Sequence, residues 1–267
     1  MGTEYEAMPL PEQEVHLWLA HCFDARHDER VLSEYDALLN PEEAARRQRF
    51  RRTEDQRRYL IARVLVRYTL SRYAHEAPAA WRFVRGPHDK PEIERCAMPL
   101  RFNLSHSGDW AVCAVALQHD VGVDIEWTRR VNDVLSIARH YFSASEQCAL
   151  NGLERGAARD RFFDLWTLKE SFMKARGEGI SLGLGNFSFD LADRDQQALN
   201  IGVRFAEVLR DDPSAWRFWL LSPVPDYRLA LAWHRGVTHG DTVIRLFHTV
   251  PGHRFDEASL PLRGATV

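Results

Sequence analysis

Lysine is nearly absent from this 267-residue chain: Lys90, Lys169 and Lys174 are the only three, and every other basic residue is an arginine. A genome-wide preference for arginine codons is the simplest reading of that bias. It still marks each lysine as a place where a compact ammonium has been kept. Net charge is scarce too, since 35 basic and 38 acidic residues leave −3. That balance excludes a general polycation, so neither nucleic acid nor an anionic membrane is expected as a partner. The four cysteines, Cys22, Cys96, Cys113 and Cys148, form no C-x-x-C pair. This excludes a structural zinc site or a disulfide scaffold and points to a reducing compartment. No apolar run reaches the roughly 18 residues of a membrane span. The opening MGTEYEAMPLPEQE is acidic and lacks the parts of a signal peptide, so the expected location is cytoplasmic.

At 45% hydrophobic residues the chain can bury a proper core, in one large domain or two small ones. Alternation predicts a strand over 15–20. A helix is expected over 29–39, another from Pro41, and a third over 54–73 with Ile61, Val64, Leu65 and Tyr68 on one stripe. Short strands follow at 100–104, 110–117 and 121–127. Helical segments then return, the longest over 157–176, and strands again at 186–190, 201–208, 216–221 and 228–233. Helices followed by strands thus occur twice, which predicts an α+β fold of two α/β halves packed together. We expect the halves to span 1–125 and 126–267, with a further strand over 242–249 and a loose C-terminal tail.

Three segments carry chemistry. In Val121-Gly-Val-Asp-Ile-Glu126 the strand period puts Asp124 and Glu126 on one face beside Gly122. Two carboxylates about 7 Å apart repel unless a positive group lies between them, and a hard divalent cation is such a group. A solvent-facing acidic strand is the plainer alternative. In RFFDLWTLKESFMKARGEG, Trp166, Glu170 and Lys174 recur at i, i+4 and i+8. A surface ion pair would explain them, but the rest of the helix is almost continuously apolar, and a charged stripe there needs partners. A metal for Glu170 and a phosphate for Lys174 would supply both. In Phe102-Asn-Leu-Ser-His-Ser-Gly108, Ser105 and His106 suit a phosphate. They are poor partners for a Ser–His hydrolase, because neighbours on a strand point opposite ways and no G-x-S-x-G is present. Ser143-Ala-Ser-Glu146 reads as a helix capping box. Between Arg46 and Arg72 ten arginines face two acids, a local field for a polyanionic small molecule or an acidic protein.

F-N-L-S-H-S-G, G-V-D-I-E and W-T-L-K-E-S-F-M-K in this order resemble the signature of the 4′-phosphopantetheinyl transferases. The larger surfactin-synthetase-activating type is most similar, from about Asn40 to Phe189 and including G-E-G-I-S-L and the Lys90-Pro91 pair. The resemblance implies a single chain of two pseudo-symmetric halves, with the active site in the cleft between them and coenzyme A bound there as co-substrate. It implies Mg²⁺-dependent transfer of the 4′-phosphopantetheine arm to a serine of an apo acyl, peptidyl or polyketide carrier protein, with adenosine 3′,5′-bisphosphate as the other product. By position, Asp124, Glu126 and Glu170 would ligate the metal. Lys174 would hold the pyrophosphate, and Glu170 or a metal-bound water would take the serine proton. Glu146 would stand near the acceptor, its capping-box role notwithstanding. Arg46, Arg58, Lys90, Ser105 and His106 would contact the nucleotide and its phosphates. One turn before Arg46, where relatives often carry a basic residue, this chain has Glu43. A monomer is expected, since one chain builds both halves. The rival expectations are a silent CoA-binding protein and a Mg²⁺-dependent CoA pyrophosphatase.

Overall fold

The computed structural model describes residues 7–130, 133–194, 198–235 and 242–266, so the first six residues of the acidic opening segment lie outside the description. The fold is mixed α/β in two compact units. One takes the chain up to Gly86, Pro91–Gln118 and the stretch ending at Ser259. The other takes Pro87–Lys90, the run from His119, and the residues from Leu260.

The first unit begins with β1 (Glu14–His21), α1 (Glu29–Asp36), α2 (Pro41–Gln48) and α3 (Thr53–Leu70). A two-stranded ribbon, β2 (Phe83–Arg85) with β3 (Pro91–Ile93), precedes β4 (Leu100–Ser107) and β5 (Trp110–Leu117). The second unit opens on β6 (Val121–Trp127). It continues through α4 (Val134–Tyr141), α5 (Ala144–Asn151) and α6 (Arg155–Arg176) to β7 (Phe187–Arg194), β8 (Ala198–Phe205), β9 (Trp216–Leu221) and β10 (Tyr227–His234). The C-terminal stretch supplies β11 (Val243–Val250), β12 (Arg254–Ala258) and β13 (Leu262–Ala265).

In the first unit the sheet order is β12-β11-β1-β5-β4, with β11 parallel to β1. Ile61, Val64 and Leu65 of α3 are buried, as their helical spacing predicts, and Tyr68 is half-buried. Asn40 and Pro41 start α2 as expected. The Asn40 side chain accepts from the Glu43 amide at 2.8 Å, and the Glu43 carboxylate accepts from the Asn40 amide at 3.1 Å. The same carboxylate pairs with the buried Arg67 at 2.6 Å. Glu43 is thereby fixed as part of the helix start.

The second unit orders its sheet β6-β10-β9-β13-β8-β7, with α6 packed on β6 and β10. Ala230 and Ala232 of β10 lie opposite Asp124 and Gly122 of β6, and this row of small residues lets the helix lie close. Gly177 ends α6 at φ +70°, the left-handed conformation that suits glycine. The expected loose tail is corrected here. Beyond β11, the chain runs on as β12 in the first unit's sheet and β13 in the second's, because each has an edge or gap whose backbone groups it pairs.

Candidate active site

The site is made where α6 crosses β6, and Gly122 makes the crossing possible. A Cβ at Gly122 would lie 2.1 Å from the Ser171 carbonyl oxygen and 2.3 Å from the Ala175 amide nitrogen. Backbone therefore meets backbone, and residues two and four positions along β6 come under the helix side chains. Both faces of β6 are buried up to Glu126, so its carboxylates are not those of a solvated strand.

Of the residues from Phe162 to Met173, only Trp166 and Glu170 are other than buried; Lys174 continues the same half-buried line. This stripe faces the β6 carboxylates in order. Trp166 Nε1 donates to Glu126 Oε1 at 3.1 Å, and Lys174 Nζ donates to Asp124 Oδ1 at 2.6 Å. Glu170 stands between them. Burial, and next the charge of Asp124, push its carboxyl up to about 7, while Lys174 pulls the other way. Arg130, in the loop after β6, pairs with the outer end of Glu126. Asp124, Glu126, Glu170 and Lys174 are thus brought together as the strand and helix periods require.

The donor set suits a hard cation: three carboxylates carried by backbone elements that pack directly. Among the described residues, no three His, Cys, Asp or Glu side chains converge as a ready cage. Mg²⁺ does not require one, since it commonly takes one or two carboxylates and completes its shell with water and phosphate oxygens. Lys174 and Arg130 sit on Asp124 and Glu126 as their paired cations.

Glu146 lies elsewhere in this unit, at the start of α5. Its Oε2 accepts from the Ser143 amide at 3.0 Å and the Ser143 hydroxyl at 2.8 Å, completing the capping box of α5. Its Oε1 accepts from the Phe189 amide at 3.0 Å. Lys169 Nζ lies 2.9 Å from Oε2 and also donates to the Leu184 and Phe187 carbonyls at 2.8 and 2.6 Å. Both side chains are buried, and a carboxylate with this many donors helps to hold the core. Lys169 escaped the sequence reading. The signal for it was present, as one of three lysines in an apolar helix.

Lys90 donates to the Ala175 carbonyl at 2.7 Å, at the last turn of α6, where a cation complements the helix dipole. In the first unit, Ser105 is buried and His106 exposed on successive positions of β4, which realises the alternation that argued against a Ser–His hydrolase. Arg58 is engaged within its own unit. It donates to the Gly108 carbonyl at 2.8 Å, to Asp55 at 2.9 Å and to Asp109 at 3.0 Å. Arg46 is exposed and lines a surface pocket with Glu42, Arg49, Phe50 and Arg85.

Residues 120–232 match the family model of the 4′-phosphopantetheinyl transferase superfamily, and residues 27–118 match that of the 4′-phosphopantetheinyl transferase N-terminal region. The chain is 36% identical to the 4′-phosphopantetheinyl transferase Sfp of Bacillus subtilis, over 69% of this chain and 79% of the relative. It is 35% identical to HetI of a Nostoc species, named as the same activity, over 65% and 73%. A phosphopantetheinyl transferase of a Thraustochytrium species is 30% identical over 71% and 70%. With both model matches lying end to end and the charged strand–helix crossing inside the one over 120–232, this chain belongs to the 4′-phosphopantetheinyl transferases, a family of enzymes.

Proposed function

We propose that this protein transfers the 4′-phosphopantetheine arm of coenzyme A to a serine of an apo carrier protein, in a Mg²⁺-dependent reaction that releases adenosine 3′,5′-bisphosphate. The observation that supports this most is the contact at Gly122, which sets Asp124 under Glu170 and Lys174 inside an otherwise apolar crossing. Asp124, Glu126 and Glu170 would hold the metal, and when bound it would neutralise charge on the CoA pyrophosphate. Lys174 reaches that pyrophosphate as a point charge, leaving Asp124 as it does so. Glu170, half-buried and flanked by Asp124 and Lys174, is the chain's own group for accepting the serine proton. The serine Oγ–phosphorus bond forms as the phosphoanhydride breaks, and the bisphosphate departs with the bonding pair. Positioning and charge neutralisation then carry the rate, as phosphoryl transfer generally requires. Arg46, His106 and Ser105 are proposed to contact the nucleotide, with Arg58 orienting the Gly108–Asp109 turn. The acidic helical surface of a carrier suits the arginine-rich stretch from Arg46, and the protein is proposed to act as a monomer.

The test is product release. With CoA, Mg²⁺ and an apo carrier, adenosine 3′,5′-bisphosphate should appear in proportion to the carrier's serine, and not with a carrier whose serine is replaced by alanine. Release without any carrier would make the protein a CoA pyrophosphatase instead. Asp124→Ala and Glu170→Ala should each lower transfer at least about a hundredfold with an unchanged circular dichroism spectrum. Wild-type turnover in either would remove the assigned carboxylates from the reaction.

A further inference from the structure

Asp164, fully buried on α6 six residues before Glu170, is ligated by two arginines at once. Its Oδ1 accepts from Arg228 Nε at 2.8 Å and from Arg263 Nε at 2.9 Å, and its Oδ2 from Arg263 Nη2 at 2.8 Å. Two guanidinium groups thus converge on one buried carboxylate, with Asp160 as a second acid 3.8 Å from Arg228.

The register of β10 on β6 gives the arrangement a purpose. Arg228 lies directly opposite Glu126, so the two side chains share the face that carries Asp124. An arginine in that position ordinarily takes the carboxylate facing it as a salt bridge. Here Arg228 is turned along the helix instead, to Asp164, to the Tyr227 carbonyl at 3.3 Å and to Asp160 at 3.8 Å. Its side chain is 13% exposed, so once on Glu126 it would be a desolvated, slowly displaced partner. Arg130, which does sit on Glu126, is 43% exposed and can return to water at little cost.

We propose that Asp164 is a positioning residue that keeps Arg228 off Glu126, and that Arg263 of the C-terminal strand β13 fixes Asp164 in that task. Glu126 is thereby reserved for the divalent cation, oriented by Trp166. This rests on the metal reading given above.

The experiment is Mn²⁺ binding to the full chain, read from the paramagnetic resonance signal of the free ion, in wild type, Asp124→Asn, Asp164→Asn and the double variant Asp164→Asn with Arg228→Met. Wild type should bind Mn²⁺, and Asp124→Asn should abolish binding. Asp164→Asn should weaken binding by about tenfold or more, the scale of losses on changing groups that orient metal ligands. The double variant should return to within about threefold of wild type, because the freed guanidinium that competes for Glu126 is gone. A merely structural Asp164 would leave the double variant as weak as the single, and that result overturns the proposal. So does wild-type affinity in Asp164→Asn when Asp124→Asn has lost it. If Asp164→Asn does not fold, the double variant decides alone: near-wild-type affinity supports the proposal and weak binding overturns it. Absence of Mn²⁺ binding in wild type removes the metal reading itself, and the proposal with it.

Discussion

Lys169 and Lys174 show how one residue type serves two ends on a single helix. Lys174, at the half-buried edge of α6, keeps its ammonium on Asp124, and the proposed reaction would have it leave for a phosphate. Lys169, five residues earlier, is fully buried, and the burial that pushes its pKa down is opposed by Glu146. Removing one partner of such a pair strands the other, at a cost of about 3–5 kcal/mol. Lys169→Met should therefore lower stability by that order in denaturant unfolding, and adding Glu146→Gln should recover part of it. Glu146→Gln alone should leave the turnover of correctly folded protein within about threefold of wild type, if its contacts with Ser143, Phe189 and Lys169 are its whole role. A loss of a hundredfold with an unchanged melting temperature would return Glu146 to the reaction. Part of this was legible: Ser143 and Glu146 at capping-box spacing are a local pattern. The pairing with Lys169 was not, because nothing in a local window tells which carboxylate a buried lysine meets 23 positions away.

At the scale of elements, the α6–β6 crossing carries the proposed function. Its side-chain order was readable because both periods are rigid: a strand puts Asp124 and Glu126 on one face, and a helix puts Trp166, Glu170 and Lys174 on one stripe. That the two elements face each other needs the long-range packing at Gly122, for which the sequence offers only a small residue next to the carboxylates. Gly122→Ala should test the crossing. With a methyl group forced to 2.1 Å from a backbone oxygen, α6 must shift outward, since no side chain can yield. Overpacking of this kind typically costs about 1–3 kcal/mol or more. We expect a lower melting temperature, and transfer reduced more than tenfold even at temperatures where the variant is folded, because misplacement of about 1 Å costs on the order of a hundredfold. Full activity in Gly122→Ala would mean that the carboxylates and Lys174 need not be held by this contact. The strands β12 and β13 were unreadable for the complementary reason. Both are short, β13 contains Gly264, and each is extended only because another strand offers its edge.

On the scale of the whole molecule, stability has a predictable acid side. His27 is buried against the Tyr35 ring. Burial lowers its pKa to about 4. Below its ordinary value of 6.5 the unfolded chain takes up a proton that the folded one refuses, so stability falls as pH drops from about 6.5 to about 4 and is level above that window. Each tenfold difference in proton affinity between the folded and unfolded chain is worth about 1.4 kcal/mol, so this one group can account for a loss of about 3 kcal/mol. Buried His16, also lowered, acts in the same direction. Urea unfolding of His27→Phe should show a shallower decline between pH 6.5 and 4, and an unchanged slope would show that His27 does not drive it. Above that window no such loss is expected, and transfer can be assayed near neutrality without it.

The measurement that reaches the central claim most directly is the intact mass of an apo carrier protein after incubation with this protein, CoA and Mg²⁺. The account predicts a gain of one phosphopantetheine unit on the carrier's serine, lost when a chelator is added and lost again with Asp124→Ala. An unmodified carrier across acyl, peptidyl and polyketide types, or a gain that persists in chelator and in Asp124→Ala, would contradict it.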